Sequence, residues 1–347
     1  MMCVSVGHTV VPVVGEELAK IRKDFKGHTK DIIQLMPGRW LYPAVFTNYA
    51  DRYYNFKWRE SDVMVMTWPK CGTTWMQEII WNMKNNPNLD NPRATDMLFA
   101  RSPFIEYDIL LEGLNYDPPG PGDPMVQALK SYCPEANPSQ GLCLQLAEQS
   151  PAPRIIKTHL PFSLHSPHLL NSAKVVFVVR NPKDAIISYC HHVRLFKHQS
   201  FIGTLEDFVQ YFMQDNLQFG SYSLMVKEAW EKRGHPNLHI VFYENLKTDI
   251  GNELRKLNNF IGTNLSETQL QNVVKWTSLE AMRGRTNEDK VAGSAKYNTQ
   301  VLEKDGGFIR KGIVGDWREK FSPELNAELN QWIEKYIDPI GINLKYS

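Results

Sequence analysis

The chain has 347 residues, 39 of them Lys or Arg and 38 Asp or Glu, for a formal net charge of +1. Hydrophobic residues make up 42% and charged residues 22%, ordinary globular usage that excludes a disordered, collagen-like or coiled-coil chain. The near-neutral balance also argues against a surface that coats nucleic acid, but it leaves room for a local basic pocket that takes a small anion.

The five cysteines (Cys3, Cys71, Cys133, Cys143, Cys190) are odd in number and show neither C-x-x-C nor zinc spacing. They read as reduced thiols of a cytoplasmic protein. No apolar run reaches the roughly eighteen residues of a membrane span, and no basic residue precedes the first apolar stretch, so neither a span nor a signal peptide is expected.

In chain order, residues 63–67 read as a strand, and residues 74–83 as a helix with Trp75, Met76, Ile79, Ile80 and Met83 at helical spacing. Residues 107–153 show little periodicity and hold a Pro/Gly-rich run at 117–124, which reads as a long loop, either functional or disordered. Strands are expected at 154–159, at 174–180 (KVVFVVR, almost wholly apolar) and at 238–244. Asn181-Pro182-Lys183-Asp184 opens a helix with Asn as cap, Pro at the first position and an acid in the first turn. A helix at 250–261 and a loose stretch at 283–307 follow. Strand–helix alternation of this kind predicts an α/β fold with a parallel sheet flanked by helices on both faces, in one large domain or two modest ones, with ligands at the carboxyl ends of the strands.

Chemistry-bearing residues collect at those strand ends. Thr67-Trp68-Pro69-Lys70-Cys71-Gly72-Thr73-Thr74-Trp75 is a strand, a tight turn and a helix N-terminus. That is a P-loop-like phosphate-binding turn without the Walker A pattern, with backbone N–H groups and the helix dipole facing an anion. Arg180 ends the KVVFVVR strand, with Ser188 on the next helix, and Lys157-Thr158-His159 ends the strand before it. Phe308-Ile309-Arg310-Lys311-Gly312 reads as a basic loop able to close over a phosphate.

Taken together, Trp68 to Trp75, Lys157-Thr158-His159-Leu160-Pro161, Arg180-Asn181-Pro182-Lys183-Asp184 and Arg310-Lys311-Gly312-Ile313-Val314-Gly315-Asp316-Trp317 resemble the signature series of the cytosolic sulfotransferases. The resemblance implies a single α/β domain with a central parallel sheet and a sulfo donor, 3′-phosphoadenosine 5′-phosphosulfate; no metal is expected, because the sulfuryl group carries less charge than a phosphoryl group and the sequence shows no metal-binding constellation. It implies that Lys70, Gly72, Thr73, Thr74 and Trp75 hold the 5′ end of the donor, and that Arg180, Ser188, Arg310, Lys311 and Gly312 hold its 3′-phosphate. Trp75, Tyr243 and Thr277 match residues around the adenine, His159 the general base, and Lys157 and Lys70 the groups that stabilise the transferring sulfuryl. Phe46, Phe104, Tyr107, His159 and His192 fall where the family lines its acceptor pocket. The expected acceptor is a small hydrophobic phenol, steroid, alcohol or biogenic amine.

Residues 1–45 read as an N-terminal extension and residues 46–347 as the sulfotransferase-like domain, with 107–153 as an acceptor-site lid. Leu279 stands where the family usually has an aromatic against adenine, and His192, Phe196 and Ile309 also depart from common family choices. A homodimer is left open, because Arg318, Ser322, Pro323 and Ala327 fit the family's dimer motif poorly. The long insertion also resembles that of insect retinol dehydratase, which eliminates after sulfo transfer. A kinase-type NTPase and a non-catalytic nucleotide binder are the readings from other classes. The absent Walker A pattern argues against the first, and retention of Lys70 and His159 against the second.

Overall fold

A computed structural model describes residues 2–4, 7–114, 119–285 and 296–344. Residues 117 and 118 of the Pro/Gly-rich run and residues 286–295 of the second loose stretch lie outside the described residues.

Four strands, β1 (Met2–Val4), β2 (His8–Pro12), β3 (Ile32–Met36) and β4 (Trp40–Pro43), form an antiparallel sheet in simple sequential order. The stretch expected as an extension is thus built into the core, with Leu35, Trp40 and Tyr42 fully buried. The second sheet is parallel, with β5 (Val63–Thr67), β6 (Ile155–Thr158), β7 (Lys174–Val179) and β8 (Leu238–Phe242) in the order β6-β5-β7-β8.

Period-two alternation sorts the side chains of this sheet to its two faces. Met64, Met66, Ile156, Val175 and Phe177 enter one core, and Val63, Val65, Ile155, Val176 and Val178 enter the other. The helix Thr73–Asn85 covers the second face with Met76, Ile79, Ile80 and Met83, and the helix Pro182–Leu195 covers the first with Ala185, Ile186, Tyr189 and Val193. Burial on both faces is why these strands read as continuous apolar runs.

The chain leaves β5 toward β6 on one side and leaves β7 toward β8 on the other. The carboxyl ends of β5 and β7 therefore border the crevice where an open α/β sheet takes its ligand.

The 107–153 segment corrects the expectation of an irregular loop. It contains the helices Asp108–Gly113, Pro124–Tyr132 and Leu142–Gln149, and a small core of its own built on Met125, Val126, Leu129, Leu142, Cys143 and Leu146. Asp123 caps the second helix, accepting from Met125 N–H, and Pro124 starts it. Asp108 accepts from the N–H groups of Cys143 (3.0 Å) and Leu144 (2.9 Å), so it caps the third helix from a distance. Each helix is too short to announce itself by periodicity and stands only by packing on its neighbours.

Further along, Ser322 accepts from Leu325 N–H and Pro323 opens the last helix, Pro323–Tyr336, so the altered dimer-motif residues serve as a helix start.

Arg154 joins the starts of β5 and β6. Its guanidinium donates to Asp62 (3.0 and 2.5 Å) and to the carbonyls of Lys57 (2.7 Å) and Ala147 (3.0 Å), all in a buried setting. Asp62→Ala leaves that guanidinium buried without its charge partner, and we expect a loss of ~3–5 kcal/mol in urea unfolding. A loss under ~1 kcal/mol, the usual worth of an exposed pair, would show that water reaches this end of the sheet.

Candidate active site

The turn after β5 is shaped by two left-handed residues, Lys70 (φ 65°) and Gly72 (φ 101°). A Cβ at Gly72 would stand 2.7 Å from the Tyr243 ring, so only glycine fits there. Gly72 begins the helix Thr73–Asn85 with no side-chain cap, which leaves the first-turn N–H groups available to a ligand. The Thr73 hydroxyl is 2.6 Å from that of Thr67, while Thr74 stays half-buried. Trp75 packs edge-on to Tyr243 at 5.8 Å, and its indole nitrogen is buried without a partner.

Arg180 ties this turn to the basic loop. Its guanidinium lies 4.3 Å over the Tyr243 ring and donates to the carbonyls of Lys70 (3.1 Å) and Ile313 (3.2 Å). Its Nε is buried without a partner. Arg310 and Lys311 both reach Asp316 (2.7 and 2.9 Å), and the Arg310 Nε is also buried and unpartnered. Gly312 takes φ 61° against the Leu279 side chain, which stands 3.1 Å from where a Cβ would be.

Asp184 is the first-turn acid of the helix Pro182–Leu195, as the sequence suggested, and it accepts from Gly315 N–H (2.7 Å) and Trp317 N–H (3.3 Å). It thereby holds the end of the basic loop against the helix Pro182–Leu195. Ser188 is half-buried on that helix. Thr277 is buried, and its hydroxyl donates to Val273 O (2.8 Å).

The electrostatics of this edge are one-sided. Burial and repulsion from Lys157, Arg180 and Arg310 push Lys70 down to about 7. Burial lowers Lys157 against the pull of Glu106, whose own carboxyl is raised by burial. Cations held in this way favour the arrival of an anion.

His159, just past β6, is buried. Its Nδ1 is 2.7 Å from Thr67 O. A carbonyl only accepts, so Nδ1 carries the proton and the lone pair is on Nε2. Burial, then Lys157, depress its basicity well below the usual imidazole value, with the Thr67 carbonyl opposing and Lys70 adding to the depression.

Phe104 and Phe219 meet the His159 ring, each at 5.1 Å. Phe104 lies under the Lys157 ammonium at 3.9 Å, and Tyr107 leans on Phe104 at 5.5 Å. Phe46 joins this group at one remove, stacking at 4.5 Å on Tyr42, which meets Phe219 edge-on at 5.9 Å. His192 sits near Phe196 (4.5 Å) and Phe308 (5.8 Å).

The structure thus gathers Lys70, Lys157, His159, Arg180, Arg310 and Lys311 at one edge. Ser188 and Thr277 lie on adjoining helical segments.

Glu106 and Phe219 escaped the sequence reading, and Phe308 was read only as part of the basic loop. Glu106 is fully buried and accepts from the backbone N–H of His159 and from the Thr158 hydroxyl (3.0 Å). Phe219, held at φ 75°, faces His159. Phe308 covers the Lys70 ammonium at 4.1 Å. Glu106 had no local signal, because its partners lie 52 and 53 residues away. Among the described residues, no three His, Cys, Asp or Glu side chains gather as metal ligands, and no helix is long and apolar enough to cross a membrane.

Residues 60–341 match the family described as "Sulfotransferase domain". The chain is 33% identical over 280 residues to Sulfotransferase 1A1 of Mus musculus, covering 80% of this chain and 84% of the relative. It is 30% identical over 298 residues to Luciferin sulfotransferase of Photinus pyralis, covering 84% of this chain and 76% of the relative. A solved structure of retinol dehydratase in a complex with retinol and PAP superposes with a TM-score of 0.82 at 26% identity, covering 97% of this chain and 99% of that one.

The Lys70 environment makes anion binding pH-dependent with a defined sign. With its ammonium near 7 in the free protein, Lys70 is mostly neutral at pH 8, and a bound anion restores its proton. Sulfate does not titrate in this range. Its binding at pH 8 should therefore take up close to one proton, against far less at pH 6, and affinity should fall as pH rises above 7. Calorimetry in two buffers of different ionisation heat reads the uptake. The same zero uptake in wild type and Lys70→Met would remove Lys70 from the anion site.

Proposed function

The chain belongs to the sulfotransferase family, and from that premise we propose that it transfers a sulfo group from 3′-phosphoadenosine 5′-phosphosulfate to a hydroxyl or amine of a small hydrophobic acceptor. The observation that carries this reading is the meeting of a cation cluster with a neutral, aromatic-walled histidine whose Nε2 lone pair is free to accept a proton. The orphaned buried Nε atoms of Arg180 and Arg310 also fit a phosphate-bearing ligand.

Arg180, Ser188, Arg310, Lys311 and Gly312 would hold the 3′-phosphate, and the 5′ end would lie on Lys70, Gly72, Thr73, Thr74 and Trp75. Trp75, Tyr243 and Thr277 would border the adenine. When bound, the donor supplies an activated sulfo group. His159 takes the proton of the acceptor hydroxyl at Nε2, which raises the nucleophilicity of that oxygen. Lys70 meets the charge that grows on the leaving phosphate, and Lys157 stabilises the group in transfer. Because His159 is already neutral at physiological pH, none of its population must first lose a proton. Phe104, Tyr107 and Phe46 supply apolar walls for the acceptor. A cytoplasmic location belongs to the same reading.

The helical insertion acts as a cover in this proposal. Its small core packs on Phe99 and Tyr107, and these rings stack at 5.1 Å beside Phe104. Water exclusion favours transfer over hydrolysis of the donor. Leu129 is fully buried in that small core, so Leu129→Ala should loosen the insertion by ~2–5 kcal/mol. Acceptor KM and donor hydrolysis should rise while affinity for 3′-phosphoadenosine 5′-phosphate stays as it was. Unchanged acceptor kinetics would make the insertion a bystander.

The direct test is incubation with labelled sulfo donor and a panel of phenols, steroids, alcohols and amines, with products identified by mass spectrometry. His159→Ala should keep nucleotide affinity and lose ~10²–10⁴-fold in turnover at saturating acceptor. Near-normal turnover in that variant would leave His159 a structural residue.

A further inference from the structure

Thr67 closes β5, and the parallel pairing of β5 with β6 at Val65↔Lys157 and Met66↔Thr158 carries it to the side of His159. The turn through Lys70 and Gly72 then folds the start of the helix Thr73–Asn85 back onto the strand end. Three side chains thereby meet in a line. Thr73 Oγ1 lies 2.6 Å from Thr67 Oγ1, which lies 3.3 Å from His159 Nδ1. All three residues are buried.

One acceptor sets the direction of this line. His159 Nδ1 stands 2.7 Å from Thr67 O. A carbonyl only accepts, so the Nδ1 proton is donated there and shared, at the longer distance, with Thr67 Oγ1. Thr67 Oγ1 accepts from the ring and keeps its own hydrogen to give. Between the two threonine hydroxyls the hydrogen can lie with either oxygen. An anion at the first turn of the helix, whose N–H groups carry no side-chain cap, would take the Thr73 hydrogen and leave one arrangement. His159 Nδ1 then donates to Thr67 Oγ1, Thr67 to Thr73, and Thr73 to the anion. Such a chain strengthens along its length when its last donor meets a charged acceptor.

We propose that Thr67 is a positioning residue that couples the 5′-phosphate of the sulfo donor, seated at Thr73, to the imidazole of His159. Phosphate draws on the two hydroxyls in turn, strengthens donation from Nδ1 and makes Nε2 a better proton acceptor. The base gains strength once the donor is in place. This rests on the sulfotransferase reading of the Lys70 turn and of His159.

The first arm of the test needs no turnover. With the imidazole nitrogens isotope-labelled for NMR, the His159 signals are those missing from His159→Ala. Saturating 3′-phosphoadenosine 5′-phosphate should shift the Nδ1 signal of the wild type. Thr67→Val keeps the branched shape and the carbonyl without the hydroxyl, and should lose most of that shift. Thr67→Ala should behave as Thr67→Val, and Thr67→Ser should retain the shift. The second arm is kinetic. At saturating donor and acceptor, Thr67→Val should lose ~3–10-fold in kcat, the worth of a neutral hydrogen bond, with acceptor KM unchanged. Thr67→Ser should recover most of that loss. An equal nucleotide-induced shift in wild type and in the variants without the hydroxyl overturns the proposal, as does wild-type kcat in those variants. Failure of the nucleotide to bind the wild type overturns the donor-site reading and the coupling with it. Binding without sulfo transfer to any acceptor overturns the transfer reading alone, and the NMR shift then decides the coupling.

Discussion

Repulsion among like charges at the end of a parallel sheet is the constraint on which this site depends. β5, β6 and β7 run side by side in one direction, so whatever follows their last residues arrives at one edge. Lys70, Lys157 and Arg180 arrive in this way, and Arg310 comes to the same edge from a distant loop. Asp316 balances Arg310 and Lys311, and Glu106 faces Lys157. Among the described residues no carboxylate pairs with Lys70, and its ammonium is held near 7. A folded protein keeps such a cluster only if packing elsewhere fixes the backbone that carries it.

That fixing is visible in the backbone. Arg180 spans from the β7 end to the carbonyls of Lys70 and Ile313, and Asp184 holds Gly315 and Trp317. Two neighbouring residues of one strand-to-helix junction therefore set the position of a loop some 130 residues later in the chain. Around His159, Glu106 accepts from His159 N–H and Thr158 Oγ1, while Pro103 and Ile105 add backbone bonds to Lys157 along the edge of β6. The His159 backbone is placed by these contacts, and its ring is then oriented by Thr67 O. Positioning of this kind concentrates a reacting group without any cost at the moment of reaction.

The helical insertion and the N-terminal sheet extend the aromatic wall around His159. Tyr42 and Phe46 come from the first sheet and the helix that follows it, and Tyr107 begins the insertion. Both regions carry apolar rings toward His159, whereas the cation cluster is made almost wholly from strand ends and the basic loop. In the proposed function, donor and acceptor chemistry would thus fall to different parts of the chain.

Local pattern alone determined the strands 63–67 and 174–180, the helix after the Lys70 turn and the Asn181-Pro182 cap, because buried parallel strands and capped helices are written in short contiguous stretches. The structure places these elements at Val63–Thr67, Lys174–Val179, Thr73–Asn85 and Pro182–Leu195. The basic motifs were legible for the same reason: each is a run of adjacent residues. Only the tertiary structure decided that the segment 107–153 contains the helices Asp108–Gly113, Pro124–Tyr132 and Leu142–Gln149, since they hold together through Asp108 and a shared core, not through periodicity. It also decided what His159 touches. Glu106, Phe219 and Thr67 lie 53, 60 and 92 residues from it. The proton location on its ring follows from a carbonyl that no local pattern could have assigned, because contacts between residues that distant exist only once the chain is folded.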